Sequence, residues 1–201
     1  MEQFDIAICG YGPVGSTFAG LMGKLGHKVL VIEKNSGPSP TARAINTDGE
    51  QLRTFDRLGI AERVVVNSNE IHRVHFSDAE LKPIQTIDQP IGVSAMGWPN
   101  QILFYQPELE GFIRSSVEAI ENVAIKEGTE LLDFKDDEDG VTLQCKTSSG
   151  TEEYRTKFLI GCDGASSSVR KKLQVNLDDL EYNQEWLVTV SYTHLRAHET
   201  R

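Results

Sequence analysis

The stretch from Phe4 to Ser16, FDIAICGYGPVGS, constrains this chain more than any other. An apolar run, Ile6 to Cys9, stops at Gly10, and Gly10, Gly12 and Gly15 form a G-x-G-x-x-G. A helical pattern follows from Pro13 to about Leu25, then a second apolar run, Val29 to Ile32, that ends in Glu33. Strand, glycine turn, helix, strand, acid is the order that a dinucleotide-binding βαβ unit requires. Gly10 lets the chain turn sharply out of the strand. Gly12 leaves the backbone open to a pyrophosphate, and Gly15 lets the helix pack closely on the strand. The positive end of the helix, opening at Pro13 and Val14, faces the phosphates. Glu33 can accept hydrogen bonds from the ribose hydroxyls of an adenosine, and its charge repels a 2′-phosphate. The residues assigned to the nucleotide are therefore Gly10, Gly12, Pro13, Val14, Gly15, Glu33 and its neighbour Lys34. A glycine-rich turn alone fits many α/β proteins; the flanking strand, helix and acid favour the nucleotide.

A chain of 201 residues holds one domain, or one domain and part of another. Its hydrophobic content of 39% and charged content of 25% suit a globular core. A formal net charge of −10 argues against nucleic acid or an anionic membrane as partner. Cys9, Cys145 and Cys162 show no C-x-x-C spacing and no His cluster, so buried reduced thiols are expected rather than a metal or redox centre. Reduced thiols, no secretory signal at the start and no apolar run of membrane-spanning length point to a cytoplasmic protein.

Beyond Glu33, Lys34–Pro40 reads as a loop and Thr41–Ile45 leads into a helix. Thr47 with Glu50 resembles a capping box, Leu52, Phe55 and Leu58 form the apolar stripe, and Gly59 is the expected C-cap. Residues 60–68 read as a short helix or turn. Ile71–Phe76, Leu81–Ile87 and Gln101–Tyr105 read as strands, the second limited to an edge by Pro83. His72 and His75 are read onto one strand, on opposite faces, as structural or solvated groups. Gln106-Pro107 opens a helix with Leu109, Phe112, Ile113, Val117 and Ile120 on one face. Four strand-like segments follow: Val123–Lys126, Thr129–Phe134, Val141–Lys146 and Tyr154–Ile160. Asp139-Gly140 and Ser149-Gly150 mark hairpins among them. The acidic run Asp136–Asp139 reads as a solvated hairpin tip, not a metal site. Phe158–Gly164 reads as a buried strand ending on Asp163-Gly164, followed by a helix through Leu173 with serines at its start. In a parallel sheet, these two strand ends, at Gly10 and at Asp163, gather on one edge. Glu185–Val190 reads as a further strand, and Ser191–Arg201 has neither apolar period nor cap. That tail resembles adaptor-derived translation found at the ends of unrelated sequences, so native sequence is expected to stop near Val190.

Three motifs in order resemble the FAD-dependent aromatic hydroxylases, the class A flavoprotein monooxygenases. They are GYGPVG with Glu33; Ala42-Arg43-Ala44-Ile45 with Asp48 and Glu50; and Gly161-Cys-Asp-Gly-Ala-Ser-Ser-Ser-Val-Arg170. Gly97-Trp-Pro99, Phe104–Glu110 and Asn183–Trp186 resemble one branch more closely, the 3-(3-hydroxyphenyl)propionate hydroxylases. The resemblance implies an α/β fold: a Rossmann-like FAD-binding sheet with a β-meander and part of an inserted β-rich substrate domain. Residues 1–70 and 106–173 would form the FAD-binding domain, 71–105 and 174–190 the partial substrate domain, and 191–201 a non-native tail.

The same resemblance implies an enzyme that binds FAD and takes a hydride from transiently bound NADH or NADPH. It uses O2 to hydroxylate a phenolic substrate, such as 3-(3-hydroxyphenyl)propionate, ortho to its hydroxyl. Arg43 would sit beside the phosphates and flavin, Gln106 would bond the ribityl chain, and Asp163, with Gly164 beside it, would cap the cofactor site through the backbone and water. Ser167 and Arg170 match the family pattern and equally suit the cap and close of a helix. The family branch has proline directly before the arginine, where this chain has Ala42, and its third motif, Gly-Asp with Ala-Ala-His, has no match here. Without that motif, a non-catalytic FAD- or nucleotide-binding piece is an alternative, as is an NAD(P)-dependent Rossmann dehydrogenase. No residue is assigned as catalytic acid or base, none as a metal ligand, and the oligomeric state is left open.

Overall fold

The computed structural model describes residues 2–38 and 42–182. The strand expected over Glu185–Val190, the Asn183–Trp186 segment and the tail from Ser191 lie outside them. In chain order the elements are β1 (Gln3–Cys9), α1 (Pro13–Lys24), β2 (Val29–Glu33), β3 (Asn46–Asp48), α2 (Gly49–Leu58), α3 (Ala61–Val66) and β4 (Asn69–Glu70). There follow β5 (Arg73–Ser77), β6 (Pro83–Asp88), β7 (Gln101–Leu103), α4 (Gln106–Glu118) and β8 (Val123–Glu127). The chain ends in β9 (Glu130–Asp137), β10 (Gly140–Thr147), β11 (Gly150–Gly161) and α5 (Ser168–Lys172). The described residues divide between two compact units, one within Met1–Pro40 and Ile113–Leu187, the other within Thr41–Phe112.

The first unit is built on a six-stranded sheet of order β8-β2-β1-β11-β10-β9. β8, β2, β1 and β11 run parallel, and β9, β10 and β11 form an antiparallel meander. This is the α/β arrangement expected from the sequence, a Rossmann-like half joined to a meander. β2 shows why: Val29, Leu30, Val31 and Ile32 are all essentially fully buried, as a central parallel strand covered on both faces demands. α1 turns Gly15, Ser16, Ala19, Gly20 and Gly23 inward, a face of small residues that lets the helix approach closely. Phe4, Ala7, Leu30, Ile32, Leu143, Cys145 and Tyr154 form one core cluster, each large member contributing about 1.5–3 kcal/mol by burial. The hairpin turns fall at Asp139-Gly140 and Ser149-Gly150 as expected.

Phe158 departs from expectation. The run to Gly161 is strand, but Phe158 is 64% exposed. The last β10 partner of β11 is Val141, opposite Thr156. Beyond that pair β11 keeps only β1 as a neighbour, so its side chains reach the rim.

The second unit carries a three-stranded sheet of order β3-β7-β4 and a separate β5–β6 hairpin. Leu52, Phe55 and Leu58 are the buried stripe of α2, and Gly59 ends the helix in the left-handed conformation. The helix start differs from expectation. Residues 46–48 are strand, Thr47 pairs with Ile102, and Asp48 is the N-cap, its carboxylate accepting from the Gln51 N–H at 2.9 Å. Sheet pairing holds Thr47 one residue too early to cap. The histidine reading is corrected too: His72 precedes β5, while exposed His75 lies on it and bonds Thr86 Oγ1 at 2.9 Å.

Candidate functional site

Gly10 leaves β1 with φ +103°, and a Cβ on it would lie 2.3 Å from the Cys162 carbonyl oxygen. Gly15 is held as tightly: its Cβ would stand 2.0 Å from the Gly10 carbonyl oxygen. Both distances are far inside contact, so backbone must pass where a side chain would stand. Gly12 is different. Nothing lies within 4 Å of its Cβ position. It is the N-cap of α1, no side chain caps that helix, and Pro13 occupies the first turn. Val14 beside it is 71% exposed. The turn is therefore tight beneath and open above, with a helix N-terminus facing the opening, which is the shape an anionic group requires.

Glu33 stands at the end of β2, and its Oε2 accepts the Tyr11 N–H at 2.9 Å. Its Oε1 accepts the Asn35 N–H at 2.8 Å and Asn35 Nδ2 at 2.9 Å. An ionised carboxylate has about four acceptor sites, so a ribose hydroxyl can still be received. Lys34 is exposed next to it.

β1 and β11 are parallel neighbours with Cys9 opposite Gly161, and the Cys162 N–H donates to the Cys9 carbonyl at 2.7 Å. The glycine turn and Asp163-Gly164, widely separated in sequence, thus leave the sheet side by side. The Asp163 carboxylate binds its own chain ahead. Ser167 Oγ donates to Oδ1 at 2.5 Å, and the Ser168 N–H, Ser168 Oγ and Val169 N–H donate to Oδ2 at 2.6, 2.8 and 3.3 Å. Partial burial acts to raise this carboxyl, but the bonds from Ser167, Ser168 and Val169 outweigh it and hold it below the ordinary range. Ser167 is the N-cap of α5, accepting from the Arg170 N–H. Gly164, with nothing within 4 Å of its Cβ position, is exposed.

In the second unit, Gln106 is buried, and its carboxamide both accepts and donates. Oε1 receives the N–H groups of Arg43 at 2.5 Å and Ala44 at 2.8 Å, and Nε2 donates to Glu110 Oε1 at 2.7 Å. Gln106 thereby fixes the backbone of the Arg-Ala-Ile segment. Arg43 itself is exposed.

One group was not signalled by the sequence. Arg114 of α4 is buried, pairs with Glu127 Oε1 through Nη1 at 2.5 Å, and donates from Nη2 to the Tyr11 carbonyl at 3.0 Å. Its guanidinium also lies 4.3 Å from the centroid of the Tyr11 ring, a cation–π contact. Glu127 in turn accepts the Gly37 N–H at 3.1 Å. Arg114 Nε and Tyr11 Oη are buried without a hydrogen-bond partner among the described residues, and burial raises the Tyr11 phenol. Cys9 and Cys145 are free thiols that burial pushes up to about 12, inert as nucleophiles. No group of His, Cys, Asp and Glu among the described residues is arranged to hold a metal, and no helix there is long and apolar enough to cross a membrane.

The open position at Gly12, the uncapped start of α1 and the spare acceptor capacity of Glu33 fit an adenine dinucleotide. The comparison with known families decides which. A family model described as FAD binding domain matches residues 3–198. The chain belongs to that family. This FAD-binding chain is 33% identical over 193 residues to a probable NADH-specific resorcinol 4-hydroxylase of Rhodococcus jostii (strain RHA1), covering 93% of this chain and 36% of the relative. It is 33% identical over 188 residues to the 3-(3-hydroxy-phenyl)propionate/3-hydroxycinnamic acid hydroxylase of Escherichia coli (strain K12 / DH10B), covering 93% of this chain and 34% of that one. Among solved structures it is similar to a p-nitrophenol 4-monooxygenase of Pseudomonas putida DLL-E4, with a TM-score of 0.82 at 26% identity, over 89% of this chain and 45% of the other. A flavin-dependent monooxygenase, PieE, in complex with FAD and substrate matches with a TM-score of 0.77 at 25% identity, over 88% of this chain and 33% of that one. The chain spans about a third of the length of the curated relatives it matches. The resemblance drawn from the three motifs is borne out.

Proposed function

We propose that this FAD-binding chain is the N-terminal part of a cytoplasmic monooxygenase that hydroxylates a phenolic ring ortho to its hydroxyl group, with O2 as oxidant and NADH or NADPH as transient reductant. The observation that carries the reading is the adjacency of the glycine turn and Asp163-Gly164 on neighbouring parallel strands, together with hydroxylase relatives. The meander that follows β8 disfavours a dehydrogenase of ordinary Rossmann build, in which further βα units continue the sheet.

FAD, when bound, supplies hydride acceptance and oxygen activation. The chain's own residues bind and orient. Gly10, Gly12, Pro13, Val14 and Gly15 receive the pyrophosphate, and Glu33 with Lys34 receives the adenosine ribose. Arg43 and Gln106 serve the flavin side, the second mainly by fixing the loop that carries the first. Asp163 fixes the turn at Gly164 through its bonds to Ser167, Ser168 and Val169. Residues 1–70 with 106–173 serve the cofactor, and 71–105 with 174–190 begin the part that meets the phenol. The free cysteines suit a reducing compartment.

Flavin fluorescence titration of the purified chain tests the first half. Saturable quenching of FAD, competed by ADP, is the expected result, and no quenching overturns the reading. The protein encoded by the whole genomic frame tests the second half. NADH or NADPH oxidation accelerated by 3-(3-hydroxyphenyl)propionate or resorcinol supports it; flavin binding without any phenol-dependent oxidation overturns the hydroxylase reading.

A further inference from the structure

Tyr11, the residue between the first two glycines, is held at both of its backbone polar groups by side chains from outside the turn. Glu33 takes its N–H at 2.9 Å and Arg114 holds its carbonyl at 3.0 Å. The peptide joining Tyr11 to Gly12 is trans, so its C=O and N–H point in opposite directions. Drawing the carbonyl inward to buried Arg114 therefore turns the Gly12 N–H away from the interior. Gly12 is also the glycine whose Cβ position opens on empty space.

The two acids involved are neighbours. Glu33 on β2 lies opposite Glu127 on β8 in the parallel register, and each controls one side of Tyr11, Glu33 directly and Glu127 through Arg114. Stability alone is a poor reason for this arrangement. An ion pair with one partner open to solvent adds little net stability, and here Arg114 Nε and Tyr11 Oη are left without partners among the described residues. Position is the better reason.

We propose that Arg114, anchored by Glu127, is a positioning residue that aims the Gly12 N–H at the pyrophosphate of the bound dinucleotide. The proposal rests on the FAD-binding reading and names a residue that acts on the ligand through the backbone alone.

The 201-residue chain, R114K and E127Q are titrated with ADP and with adenosine, following the Gly12 amide by NMR. Lysine keeps the charge facing Glu127 but has no planar fork to reach the Tyr11 carbonyl at the same time. In R114K, ADP affinity is expected to fall about tenfold, with adenosine affinity changed less than about twofold and the Gly12 amide shift on ADP addition lost. E127Q, which keeps side-chain length, is expected to show the same selective loss at about threefold, and carries the test should R114K not fold. Equal ADP affinity in the variants and wild type, or parallel loss of ADP and adenosine, overturns the positioning role. Failure of the wild-type chain to bind ADP overturns the nucleotide reading, and this proposal with it.

Discussion

At the scale of the residue, the glycines divide into positions where a side chain is impossible and positions where the space for one is open. Gly15 belongs to the first kind. A Cβ 2.0 Å from the Gly10 carbonyl oxygen forces backbone to move, so G15A is expected to cost about 3 kcal/mol or more, read as a lowered urea midpoint. Gly12 belongs to the second kind and tolerates a methyl without loss of fold. Asp163 gives a pH signature. Its folded-state value is depressed by bonds from Ser167, Ser168 and Val169. Its contribution is therefore complete above the unfolded carboxyl value of about 3.9 and is lost as pH falls through the lower, folded value. D163N is expected to cost about 1 kcal/mol near pH ~7, and urea denaturation near pH ~3 should show the gap between mutant and wild type narrowing.

At the scale of the element, local chemistry was legible, while of the long-range pairing only the meeting of the Gly10 and Asp163 strand ends was read. The close-packing glycine of α1 at Gly15, the apolar run of β2 and the glycine hairpins were readable because each depends on residues within a turn or two of one another. The start of α2 was misread because Thr47 and Asp48 are both good cap residues. What separates them is the pairing of Thr47 with Ile102, which no local pattern reveals. The observed cap makes a prediction: D48A should cost about 1 kcal/mol and T47A less than about 0.5 kcal/mol, compared by thermal denaturation. Arg114 escaped notice for the same reason. On the sequence it is one charged residue on an amphipathic helix; only the fold brings the Tyr11 carbonyl and Glu127 to it. Gln106 was legible as a position of interest, while its bonds to Arg43 and Ala44 were not.

At the scale of the whole molecule, the order β8-β2-β1-β11-β10-β9 places the first strand of the chain in the interior of its sheet. One of its two neighbours is the last strand described, with Gln3 opposite Arg155. A ribosome that has made only the fingerprint has therefore made a strand with one flank unpaired, and closing so large a loop is slow and entropically costly. Until β11 emerges, the flank of β1 with Phe4, Ala7 and Ile8 stays open to any other strand, the condition under which chains aggregate. A chain released at Gly140 is expected to sediment as aggregate, while one released after Lys172 stays in the supernatant, as centrifugation of cell-free translation products would show. The motif most easily recognised at the start of synthesis is among the last parts of the protein to become structurally secure.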